Sequence, residues 1–300
     1  MGKFWKIIGV IVALWVIASV LSNFIATDWR DKIAVIPLEG TIVSSDLSGL
    51  VPRSTLLSKT VVDFIKEAEK DDTIKGILLE INSPGGTVVA SKEIVQAIKE
   101  AQKPVVAYIR EIGTSGAYWV ASASDFVISD ELSLTGSIGV VSTFLEFSEL
   151  LEEYGVTYEG LKTGKYKDVG SPFRKMTDEE RTILLGKMQK IHDAFVKDVA
   201  ANRDLDEQQV ASLATGIYYL GSEALELGLI DAVGSRDDAL NKTKELANIK
   251  DAEELVFKER HYLGDLLGRL STFSFYHLGR GIGRELQLIS IDERQRPFSL

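Results

Sequence analysis

KGILLEINSPGGTVVASKEIVQAIKEAQ, residues 75–102, decides the fold class. The apolar run Ile77–Ile81 is short and ends in Asn82, Ser83 and a Pro84-Gly85-Gly86 turn, the pattern of a buried strand. The next stretch carries apolar residues at helical spacing, and Pro104 follows it. PVVAYIR (104–110) is then a second strand and TSGAYWVASASD (114–125) a second helix. Upstream, KIAVIPLEG (32–40) reads as a strand, residues 44–60 as a loop, and TVVDFIKEAEKD (60–71) as a helix. Downstream come short strands in FVISD (126–130) and SLTGSIGVV (133–141), a helix over 142–156, and a strand-like 157–164. Strands alternating with helices of this length imply right-handed βαβ units and a mostly parallel sheet, an α/β fold. From residue 177 the chain is mainly helical, with a strand-like GIYYLG at 216–221.

The amino terminus carries a different signal. Lys3 and Lys6 precede a stretch without charge from Ile7 to Thr27, bracketed by Trp5 and Trp29. About 20 apolar residues in a helix span the hydrocarbon core, and tryptophans favour its boundaries. The expected organisation is a cytoplasmic tail (1–6), a transmembrane anchor (7–27), an extracytoplasmic domain (28–249) and a carboxy-terminal extension (250–300). The positive residues ahead of the anchor orient it with the amino terminus in the cytoplasm. A cleaved signal peptide is the competing reading, but no A-x-A-like site follows the apolar run. HYLGDLLGRLSTFSFYHLGRGIGRELQ (261–287) would pack on a neighbouring subunit, lie on a membrane surface, or form a poorly ordered tail.

Composition removes several classes of function. The chain has no cysteine, so disulfides, thiol nucleophiles and Cys-based metal sites are excluded. A net charge of −10 argues against nucleic-acid binding. No cofactor motif appears, and no cofactor is expected.

Two stretches can do chemistry. The Pro-Gly-Gly turn can aim bare backbone N–H groups at a substrate carbonyl, as an oxyanion hole requires, or it is simply a tight turn. Ser115 lies between Gly113 and Gly116 at the start of a helix, whose positive end would face its hydroxyl. That position suits a nucleophile, and equally a helix N-cap. The base is harder to find. The three histidines are His192, in a long helical pattern, and His261 and His277, in the tail. A lysine can take the proton if it is neutral. An ordinary lysine titrates near about 10.4, so the base must sit in a dry pocket. KTGKYKDVGSPF (162–173) offers Lys162, Lys165 and Lys167, and composition does not choose among them.

INSPGG, GTSGAYWVASASD, TGSIGV, KTGKYKDVGSP and YLGSEALELGLIDAVG occur in this order, and with the amino-terminal anchor they resemble the short-form signal peptide peptidase A family, the membrane-bound Ser/Lys proteases of family S49. The likeness covers about residues 33–245. It implies a fold like that of the Clp protease subunit and the crotonases, with repeated ββα units. It also implies Ser115 as nucleophile, Lys167 as general base, Ser137 as a hydroxyl that helps hold the lysine, and the N–H groups of Gly86 and Gly116 as the oxyanion hole. Family members form homo-oligomeric rings whose neighbouring subunits complete each binding groove. They degrade signal-peptide remnants and other apolar peptides at the membrane. The same fold could instead serve a protease cutting one membrane partner such as a stomatin-like protein, an acyl-CoA enzyme of crotonase type, or a non-catalytic membrane scaffold.

Overall fold

The structure, a computed structural model, describes residues 30–45 and 55–258. The expected tail 1–6 and anchor 7–27, His261, His277 and the segment 261–287 lie outside the described residues. Among the described residues no helix is long and apolar enough to cross a membrane.

The opening stretch forms what its pattern requires. Strand β1 (Lys32–Glu39) is followed by the short β2 (Thr41–Val43) and β3 (Thr55–Leu57), which pair with each other. Helix α1 (Ser58–Lys70), β4 (Ile74–Ser83), α2 (Val88–Glu100), β5 (Val105–Thr114) and α3 (Gly116–Ser122) then alternate. Next come β6 (Phe126–Ser129), β7 (Leu134–Gly136) and α4 (Ser148–Glu153). The remainder comprises α5 (Asp178–Arg203), α6 (Glu207–Leu213), β8 (Tyr218–Leu220), α7 (Gly221–Glu226), β9 (Ala232–Val233), α8 (Arg236–Leu246) and β10 (Glu253–Val256).

The main sheet runs β10-β1-β4-β5-β6-β9, parallel throughout. β7 pairs in parallel with the carboxy-terminal half of β5, and its pairing with β8 is antiparallel. Because side chains alternate across a strand, β1 sends Ala34, Ile36 and Leu38 into one core and Ile33 and Val35 into the other. The larger core joins the sheet to residues of α1, α2, α3 and α5. The smaller one joins Leu78, Val106 and Tyr108 to Ala239 and Leu240 of α8. Both faces of the central strands are therefore covered, as parallel sheets require.

Three stretches depart from the sequence reading. Only Ser148–Glu153 of 142–156 is helical. Its periodicity finds no core to pack on, and Phe144, Leu145, Phe147 and Leu150 are exposed. Residues 157–164 form no strand, since no sheet edge runs beside them. Within 44–60, β3 and the start of α1 replace part of the expected loop. β10 lies beyond residue 249, where the extension was expected to begin, and it extends the sheet by pairing with β1.

Candidate active site

In parallel α/β sheets, sites gather where the strands end. Here the adjacent strands β4, β5 and β7 finish side by side, with Ser83 opposite Gly113 and Thr114 opposite Gly136. The residues just past those ends are Gly85 and Gly86, Ser115, and Ser137. Positions far apart in sequence thus meet because the sheet register aligns them.

The first strand end is braced by Ser83. Its buried Oγ donates to the Gly40 carbonyl at 2.6 Å and accepts from the Gly85 N–H at 3.1 Å. Gly85 has φ +94°, a backbone open mainly to glycine. Gly86 forms a parallel bridge with Ile42, whose N–H bonds the Gly85 carbonyl at 2.9 Å while its own carbonyl accepts from Thr87 at 2.9 Å. In that geometry the N–H and C=O of Gly86 face away from Ile42. A β-carbon on Gly86 would meet the Ile42 oxygen at 1.9 Å, so no larger residue fits.

At the second strand end, Ser115 adopts φ 53° and ψ −125°, uncommon for a residue with a side chain. Such strain costs about 1–3 kcal/mol and persists only when the surroundings impose it. The Ser115 N–H donates to the Gly136 carbonyl at 2.8 Å, tying the turn to β7. Ser115 occupies the N-cap position of α3, yet its side chain makes no capping hydrogen bond. The hydroxyl stands half-buried at the positive end of the helix without a partner among the described residues. Gly116 opens the helix, so its N–H has no intrahelical carbonyl to bond. A β-carbon on Gly116 would lie 3.2 Å from the Gly86 nitrogen and 2.3 Å from the Ser91 Oγ. Two uncommitted N–H groups thus sit close together beside Ser115.

α3 is held firmly. Trp119 stacks on Phe195 of α5 with ring centroids 4.3 Å apart, and its Nε1 donates to Asp198 at 3.1 Å. The fully buried Tyr118 hydroxyl donates to the Leu229 carbonyl at 2.8 Å, and burial pushes its pKa up.

At the third strand end, Ser137 has φ 52° and donates its Oγ–H to the Gly216 carbonyl at 2.9 Å. Its N–H bonds the Ile217 carbonyl at 3.0 Å. The hydroxyl proton is therefore committed, which leaves the oxygen free only as an acceptor.

The lysine segment stands apart. Lys162 pairs with Asp168 at 2.6 Å and Lys165 with Glu179 at 2.5 Å. The hydrogen bond that Lys165 donates to Glu179, followed by its interaction with Tyr166, raises the Lys165 pKa. Lys167 lies in the turn run 165–170, exposed, with its backbone N–H on the Gly164 carbonyl at 3.2 Å. It has no ion pair among the described residues, unlike the other two. The chain by itself gathers Gly86, Ser115, Gly116 and Ser137, and it makes no hydrogen bond between Lys167 and any of them. The only histidine among the described residues, His192, contacts the Ala214 carbonyl at 2.8 Å through Nε2. No group of acidic residues or histidine there could hold a metal ion.

The sequence profile of Peptidase family S49 matches residues 97–250, and that of Clp protease matches residues 51–127. Protein MJ0651 of Methanocaldococcus jannaschii, which carries a protease name, is 37% identical over 240 residues, 79% of this chain and 76% of its own. A protein of Enterococcus faecium named as signal peptide peptidase SppA is 34% identical over 230 residues, 76% of this chain and 67% of its own. Protease 4 of Haemophilus influenzae is 31% identical over 246 residues, 81% of this chain and 39% of its own.

Proposed function

The chain belongs to Peptidase family S49 and is a peptidase of serine type, and from that premise we propose that it cleaves apolar peptides with a Ser115/Lys167 dyad. The observation carrying this reading is the uncapped Ser115 hydroxyl beside two unbonded N–H groups at a helix start. A serine kept only for stability would cap the helix. Among the three lysines of 162–173, Lys167 alone has no ion pair with a carboxylate among the described residues.

The reaction follows from those roles. Neutral Lys167 Nζ takes the Ser115 Oγ proton as Oγ bonds to the peptide carbonyl carbon. The N–H groups of Gly86 and Gly116 stabilise the oxyanion, a contribution worth about 3 kcal/mol per donor. The C–N bond then breaks as the ammonium returns its proton to the leaving amine. Water, deprotonated by the same lysine, then attacks the ester carbonyl, and the ammonium gives its proton to Ser115 Oγ as the acid is released. Ser137 would accept a hydrogen from the lysine amine and turn its lone pair toward Ser115.

A neutral lysine needs a dry site, and Lys167 is exposed in the single chain. Its segment also exposes Val141 (87%), Leu145 (67%) and Leu161 (92%). Large apolar side chains left this open are candidates for burial against a partner. Packing of this segment on a neighbouring copy, in a homo-oligomeric ring, would bury those residues and dry the lysine. With residues 7–27 as an anchor, the site would be tethered outside the cytoplasm close to the bilayer. Signal-peptide remnants are the substrates this arrangement favours.

A synthetic signal peptide tests the activity, with fragments read by mass spectrometry for wild type, Ser115→Ala and Lys167→Ala. Both variants should be inactive and fold normally. Near-wild-type cleavage by Lys167→Ala would refute the dyad. Mixing the two inactive variants should restore part of the activity if the lysine serves the neighbouring subunit's serine.

A further inference from the structure

We infer that Arg174 is a positioning residue for Lys167: it clamps the turn that carries the lysine and keeps the adjacent carboxylate occupied. The inference rests on the reading of Lys167 as the base.

Arg174 forks between two carboxylates. Its Nε donates to Asp168 Oδ2 at 2.8 Å and its Nη2 to Oδ1 at 2.8 Å. Nη1 and Nη2 also donate to the two oxygens of Glu180 at 2.9 and 2.6 Å. Asp168 follows Lys167 directly in the exposed turn. Glu180 is buried in the first turn of α5, where it forms a capping box with Thr177. The guanidinium therefore joins a surface turn to the start of a 26-residue helix. A planar fork fixes such a geometry, which a lysine in its place could not. Within the turn, Lys167 N–H to Gly164, Val169 N–H to Tyr166 and Ser171 N–H to Asp168 complete the brace.

The clamp also acts on charge. Arg174 holds both oxygens of Asp168, and Lys162 holds Oδ1 as well. Together they keep the Asp168 carboxyl far below its ordinary range. An Asp168 released by Arg174 and held by Lys162 alone would be the nearest anion in sequence to Lys167, able to pair with its ammonium. Other charged groups nearby also pair with one another. Lys165 and Tyr166 hold Glu179, and Lys175 holds Glu149 of α4.

The test compares wild type, Arg174→Gln, Arg174→Lys and Asp168→Asn in the full-length protein, with kcat and KM for an apolar peptide measured across pH. Arg174→Gln should lower kcat at least about tenfold with KM within about threefold, since misplacing a catalytic group affects the chemical step. Its acidic limb should move to higher pH, because Asp168, then held by Lys162 alone, can pair with the Lys167 ammonium. Arg174→Lys should fall between. Asp168→Asn should lower kcat without an upward move of that limb, having no carboxylate to offer. It also decides the matter if Arg174→Gln does not fold. The inference is overturned if Arg174→Gln or Asp168→Asn retains wild-type kcat, or if the acidic limb of a folded Arg174→Gln stays in place. Full activity in Lys167→Ala would instead overturn the dyad itself.

Discussion

Gly85 lies so close to Ser115 that a β-carbon on the glycine would stand 3.0 Å from the serine Cβ and 2.6 Å from the Gly116 nitrogen. The turn after one strand is thus moulded against the turn after the next, and the space between them is that of a bare glycine. Gly85→Ala should push the two turns apart and spoil the paired N–H groups. A loss of at least about a hundredfold in kcat is expected, the size seen when an oxyanion donor is removed. The positive φ adds a stability cost of about 1–3 kcal/mol. Peptide turnover and thermal unfolding of the same preparation measure the two effects separately.

The strained Ser115 backbone sets a trade between stability and chemistry. Ser115→Gly removes the proposed nucleophile and relieves the positive φ together. It should unfold at higher temperature than wild type, by about 1 kcal/mol of stability, while Ser115→Ala keeps the strain and gains nothing. Since the hydroxyl makes no cap bond, neither variant loses one. Equal melting of Ser115→Gly and Ser115→Ala in calorimetry would show that the strain is absent in solution.

Trp119 is the fastening of the serine-bearing helix. Trp119→Ala removes a buried ring stacked on Phe195 and should cost about 3–5 kcal/mol. Trp119→Phe retains much of the stacking and loses the bond to Asp198, for about 1 kcal/mol. Denaturant unfolding should rank wild type, then Phe, then Ala.

Acid should loosen the start of α5 in a defined window. The Arg174 guanidinium, followed by the Thr177 N–H, lowers the Glu180 pKa to about 2 from an ordinary 4.5. A carboxylate lowered on folding contributes stability above its ordinary pKa and loses it as pH falls through the folded value. Stability should therefore decline between those two values, with Asp168, also lowered, extending the loss to lower pH. Glu180→Gln should be less stable at neutral pH and flatter across the window, which melting curves at a series of pH values will reveal.

The exposed apolar segment makes a prediction about assembly. Leu161→Ser paired with Val141→Ser should shift sedimentation toward single chains and lower activity, with melting of the folded domain little changed. An unchanged sedimentation profile would exclude this segment from the interface.

The parallel sheet was legible because Ile77–Ile81 and Val105–Ile109 announce buried strands and helix α2 between them has a face to bury. Ser115 and the two glycine turns were visible as local chemistry, but their meeting depends on register, which pairs Ser83 with Gly113 and Thr114 with Gly136. Register is a property of partners, and no single stretch encodes it. The stretch 142–164 misled for a related reason. Its apolar spacing mimics a helix and a strand, yet most of those residues stay exposed and none joins either core. Arg174 left no mark in the sequence at all, because a fork between Asp168 and Glu180 follows from tertiary placement alone.

Arg30, just ahead of β1, forms an ion pair with Glu253 at 2.9 Å, and the backbone of β1 is bonded to β10 on one side and β4 on the other. Tension applied to the chain at that point runs along the strand. It would load two parallel rows of bonds in shear, all at once, rather than unzip them singly. A pull from ahead of residue 30 would thus meet both rows together.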